Sequence, residues 1–144
     1  MAICALFFTN GLLIGSLVLR FPEIKDAFGL SASVYGVTIA LSSLGGICAG
    51  PFAAKVVRRL TSRIAASLLT IGIGVAVLTI GLSATLRPLV SSGSLLSVAL
   101  YLLLACGFFL NGCSDSLVDV AQNMQGLRLQ REYRRPIISS FHGM

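Results

Sequence analysis

Four long apolar runs dominate the chain: residues 3–19, 34–54, 64–86 and 95–118. Each is close to or above the roughly 17–25 residues that carry a helix across a bilayer. The runs are continuous rather than alternating, and lipid leaves no partner for an unpaired backbone N–H, so each is expected to be a transmembrane helix. The first lacks the basic stretch that opens a signal peptide, and three more follow it, so it reads as a true span. With 56% hydrophobic and 11% charged residues and a mean hydropathy of +0.92, too little polar surface remains to coat a soluble globule. The expected fold class is an all-α integral membrane protein.

Basic residues give this bundle a direction. Lys55, Arg58, Arg59 and Arg63 lie between spans two and three, and Arg128, Arg131, Arg134 and Arg135 follow span four. These two segments hold eight of the eleven Lys and Arg. In the first connection Arg20 and Lys25 are diluted by Glu23 and Asp26, and the third has Arg87 alone. The positive-inside bias then places both rich segments, and the N-terminus, in the cytoplasm of a multi-pass inner-membrane protein. The net charge of +6 is a topology and surface signal, with anionic headgroups of the bilayer as partner. Nucleic acid is not expected, because the basic residues are split among short loops.

Catalysis and metal binding find no support. Cys4, Cys48, Cys106 and Cys113 all fall in apolar runs without paired spacing, and His142 stands apart from any nucleophile. No metal, cofactor or enzymatic activity is expected. The connections carry ordinary punctuation: a loop over "RFPEIKDAFGLSAS" with Pro22, Ser31 or Ser33 capping span two, and a break at "RPLVSSGS" with Pro88 and Gly93. Pro51 predicts a kink near the inner end of span two. Gly11 and Gly15, and Gly46 and Gly50, form G-x-x-x-G pairs, with Gly72, Gly74 and Gly81 in span three, so close helix packing is expected there. Pro136 suits the first turn of a new helix, and "RRPIISSFHGM" reads as the start of a fifth span.

One stretch breaks the apolar pattern. "GCSDSLVDVAQNMQG", residues 112–126, carries two carboxylates, two glutamines and an asparagine. Counting back from Arg128, Asp119 lies roughly 13 Å along the helix and Asp115 about 6 Å deeper. The two acids are four apart, on one helix face, and Gln122 and Asn123 extend that stripe. Two readings stay open. If span four ends near Ser114, the acids sit at headgroup level. If it runs on, the stripe faces protein or water, and intramembrane carboxylates are functional candidates. A carboxylate there that takes and releases protons suits a proton-coupled transporter.

At these residues the chain resembles the major facilitator superfamily, within it a bacterial branch similar to the fucose permease. "DVAQNMQG" from Asp119 and "RRPIISSFHGM" from Arg134 carry the resemblance. "FFTNGLLIGS" and "RFPEIKDAFGLS" look like that branch's first span and first outer loop. The superfamily's cytoplasmic loop motif is half present. Gly50, Lys55, Arg58 and Arg59 fit it, whereas Ala54 stands where an aspartate belongs and Val57 where a second glycine belongs.

The resemblance implies that residues 1–144 supply part of an N-terminal half of a twelve-helix fold. Four spans, about 3–19, 34–54, 64–86 and 95–122, would precede a fifth from 136. The partners implied are the remaining spans of the same transporter and a small solute, sugar-like among the possibilities. It also implies that Asn10, on span one, shares the substrate cavity with Asp115 and Asp119. Asp119 matches a proton-coupling glutamate, Asn123 matches an asparagine one turn on, and Gln122 stands where the branch usually has an apolar residue. Arg20 is either a salt-bridged loop residue or a contact of the outer vestibule. Two other readings remain: a four-helix proton antiporter like the small multidrug resistance family, and a non-transporting scaffold that holds a partner through its basic loops. That family carries its acid in span one, where this chain has only Asn10, and neither alternative explains the start of a fifth span.

Overall fold

A computed structural model describes residues 2–133 and is all-helical over them. In chain order, α1 is Ala2–Leu19, α2 is Phe21–Phe28 and α3 is Ala32–Ala49. A short 3₁₀ turn, Gly50–Phe52, then leads into α4, Ala53–Leu60. After it come α5, Ser62–Leu86, a second 3₁₀ turn, Arg87–Leu89, and α6, Leu95–Tyr133. Three stretches are long and apolar enough to cross a membrane: Ala32–Leu60, Ser62–Leu89 and Leu95–Arg128. Cys4–Leu19 with Phe21–Phe28 makes a fourth if that pair, bent by 44°, is one span. The expected fifth span and His142 lie outside the described residues.

Helix α6 is the spine of the bundle, packing along both α3 and α5, while α1 rests mainly on α5. The closest approach is between α3 and α6. A Cβ on Gly45 would collide with the Phe109 carbonyl oxygen, and one on Gly112 with the Ser42 carbonyl oxygen. The two backbones therefore touch where both lack a side chain. Gly46, of the expected G-x-x-x-G pair, meets only ordinary contacts. Gly11 and Gly15 approach nothing within 4 Å among the described residues. Which glycines carry the packing depends on the partner helix, and spacing within one helix does not reveal that.

Two apolar clusters mark the ends of the bundle. One is bulky: Leu17, Ile24, Phe28, Tyr35, Ile80, Leu100, Leu104 and Phe108. Within it Phe21 meets Tyr35 edge-on at 6.1 Å and Phe108 at 6.0 Å. Such pairs add about 1 kcal/mol each beyond their burial. The other is small: Val57, Ala65, Ala66 and Ala121, with Leu6 against it. Because α1 contributes Leu6 to one cluster and Leu17 to the other, it runs from the small end to the bulky end.

The segment expected as a loop, residues 20–33, is largely helix. Pro22 opens α2 within its first two positions, where no N–H is needed. Ile24 and Phe28, one turn apart, are buried, and Gly29 closes the helix at φ 62 in the left-handed conformation. Proline, charge and glycine look like loop punctuation, but here they are a start and a stop with an apolar pair between them. Ser31 does cap the next helix, its hydroxyl accepting from the Val34 N–H at 3.3 Å. Pro51 sits in the 3₁₀ turn, where the α-helical ladder is interrupted as its missing N–H requires.

Candidate functional site

Several hydroxyls within the spans satisfy themselves locally. Thr70 Oγ1 donates to the Ala66 carbonyl at 2.8 Å and Ser83 Oγ to the Ile80 carbonyl at 2.7 Å, so neither needs a partner from another helix. A carboxylate only accepts, so it cannot bond to a backbone carbonyl in the same way. The carboxylates of α6 must look to the amides of α1 and α6, to water or to a ligand.

They gather midway between the two apolar clusters. Asn10 lies between Leu6 and Leu17 on α1, and Asp115 between Phe108 and Ala121 on α6. Asn10 is only 8% exposed, and its side chain interacts with the half-buried Asp115. That interaction links the first described helix to the last. The Asn10 Oδ1 has no partner among the described residues. Asp119, one turn from Asp115 and electrostatically coupled to it, is exposed and opens onto a cleft of about 490 Å³. Ser42, Ser43 and Gly46 of α3 form one wall of the cleft, and Gly112, Asp115, Ser116, Asp119 and Val120 of α6 the other. Asn111, one turn before Asp115, donates its amide to Ser42 Oγ at 3.5 Å at the back of this region.

Helix α6 continues without interruption to Tyr133. The backbone therefore does not stop at Ser114, and the whole stripe from Asp115 to Asn123 belongs to one helix whose apolar stretch extends to Arg128. The stripe is nonetheless divided. Gln122 is fully buried, with neither Nε2 nor Oε1 hydrogen-bonded among the described residues, and it does not line the cleft. Val118 and Ala121, four and one residues before it on the helix, are equally buried. Asn123 is half-buried, its Oδ1 unpartnered among the described residues.

Ser42, Ser43 and Ser116 escaped the sequence reading, because a serine in an apolar run carries no signal of its own. The close approach at Gly45 and Gly112 is what brings them opposite the carboxylates. The residues expected to form a cytoplasmic loop motif lie at the small-cluster end. Gly50 stands in the 3₁₀ turn, Lys55, Arg58 and Arg59 are exposed, and Val57, in place of the motif's second glycine, is buried at 3%. Arg20 forms no ion pair among the described residues; it stands at the edge of a separate groove of about 780 Å³ between α1, α2 and α5.

No protein-family profile matches the chain, and no solved structure matches it. Among curated proteins the chain is similar to an uncharacterized transporter, y4wD, of Sinorhizobium fredii (strain NBRC 101917 / NGR234). The two are 28% identical over 142 residues, which is 99% of this chain and 34% of that protein. The chain therefore spans about a third of the length of that relative.

Proposed function

We propose that the chain forms part of a secondary active transporter of the major facilitator type, moving a small solute across the inner membrane in company with protons. The observation that carries this reading is the intramembrane carboxylate pair. Asp115 is tied to Asn10 across the bundle, and Asp119 opens onto a cleft midway between the clusters. The similarity to a protein named as a transporter supports it.

In this reading Asp119 is the proton carrier. It faces the cleft, so a proton and a solute can reach it from the same water-filled space. Asp115 positions α1 against α6 through Asn10, so that protonation next door is felt on a second helix. The serine hydroxyls of the cleft donate and accept hydrogen bonds, and the carboxylates accept them, a set that suits a hydroxylated, sugar-like solute. Asn123, one turn beyond Asp119, contacts the solute or braces the acid in this reading. The N-terminus and the α4–α5 corner face the cytoplasm.

The test is uptake by vesicles containing the full-length transporter. Solute accumulation should follow an imposed pH gradient and collapse when a protonophore dissipates it. Accumulation indifferent to the protonophore would exclude proton coupling.

A further inference from the structure

The two ends of the bundle treat their cations differently. At the bulky end each cation of the loops except Arg20 has local company. Lys25 pairs with Asp26 at 3.2 Å, and Arg87 donates to the Val90 carbonyl at 3.0 Å while its guanidinium lies 5.9 Å from the Phe28 ring centroid. At the small end Lys55, Arg58, Arg59 and Arg63 are all exposed, and none has an ion pair or side-chain hydrogen bond among the described residues.

Local structure concentrates these four charges on one corner. Ala53 and Val57, one turn apart, are buried at 2% and 3% and fix which side of α4 faces the bundle. Lys55, Arg58 and Arg59 are thereby turned outward. Thr61, at φ 64, reverses the chain sharply and brings Arg63 back within the first turn of α5. Apolar side chains share the same corner: Phe52 is 60% exposed, Leu60 39% and Ile64 51%.

That mixture selects the partner. A soluble acidic partner would answer the cations and make no use of Phe52 and Ile64. A hydrocarbon surface would answer Phe52 and Ile64 and leave four charges without counterions. A phospholipid with a net negative headgroup answers both, with phosphate oxygens for the guanidiniums and acyl chain for the apolar groups. We propose that the α4–α5 corner is a binding site for an anionic phospholipid. Arg58, Arg59, Arg63 and Lys55 hold the headgroup, and Phe52, Leu60 and Ile64 lie along its chains. The site goes beyond the transport reading and does not depend on it.

The chain contains no tryptophan, so single reporters can be placed at will. Ala54→Trp, at an exposed position of α4, reports on the corner, and Leu89→Trp, 79% exposed at the other end, serves as control. In nanodiscs, brominated phosphatidylglycerol should quench Ala54→Trp more strongly than brominated phosphatidylcholine does, whereas Leu89→Trp should show little preference. Adding K55Q, R58Q, R59Q and R63Q should lower the relative affinity for phosphatidylglycerol on the order of tenfold. Should that variant fail to fold, the charge-retaining R58K/R59K/R63K chain should keep the preference, and salt should weaken it. Equal quenching of Ala54→Trp by the two lipids would overturn the site, as would a preference unchanged by neutralisation. Release of the brominated lipid by inorganic phosphate alone at modest concentration would move the corner from a lipid site to a free-anion site.

Discussion

Gln122 and Asp119 are three residues apart on the same helix and live in opposite circumstances, one fully buried, the other open to the cleft. Burying an amide without partners costs about 1–3 kcal/mol, and replacing it by an apolar group of the same shape recovers part of that. Gln122→Met should therefore raise the midpoint of unfolding in a denaturant titration, by roughly 1–2 kcal/mol in free energy. A clear loss of stability would mean that Gln122 is satisfied after all, by water or by a partner helix. Asn10→Leu should act in the opposite direction, since it removes the amide that interacts with the half-buried Asp115 and sets an apolar group against that carboxyl. The expected loss is about 1–3 kcal/mol in the same titration, and Asn10→Asp, which sets a second acid against the first, should not restore it. At this scale the sequence exposed the polar stripe but not its division. Residues 115, 119, 122 and 123 share a face by arithmetic, yet the position of α5 and α1 around α6 decides that Gln122 is covered and Asp119 is not.

Among the elements, α3 and α6 are held together by an absence of side chains. Gly112→Ala would press a methyl group into the Ser42 carbonyl, and overpacking of this kind costs roughly 1–3 kcal/mol. It would also separate Ser42 and Ser43 from Asp115 and Asp119, so it should weaken solute binding along with stability. Gly11→Ala, where a Cβ meets nothing within 4 Å, should be nearly neutral among these helices. A comparison of the two unfolding midpoints checks the assignment, and a Gly11 effect as large as that of Gly112 would contradict it. The helices themselves were legible from the continuous apolar runs, as was the interruption at Pro51. Helix α2 was not, because its eight residues are too few to show periodicity beyond the Ile24 and Phe28 pair. The Gly45 and Gly112 contact was hidden for a different reason: it is a property of two helices at once.

For the whole molecule the account rests on a bundle with a basic end, a mixed end and a polar middle. The basic end should lie in the cytoplasm. In a background without the four native thiols, Ala54→Cys on α4 and Ser91→Cys in the last described loop are both exposed and belong to opposite ends. An impermeant thiol reagent applied from outside should modify Ser91→Cys and spare Ala54→Cys until the membrane is opened; the reverse pattern would invert the orientation. Proton movement through the polar middle is the central claim. Asp119→Asn keeps the size of the side chain and, like the protonated acid, both donates and accepts, but it cannot ionise. In the full-length transporter it should abolish solute accumulation driven by a pH gradient while leaving downhill solute exchange largely intact, because exchange needs the cleft but no net proton. Gradient-driven accumulation by Asp119→Asn at the rate of the parent protein would contradict the account.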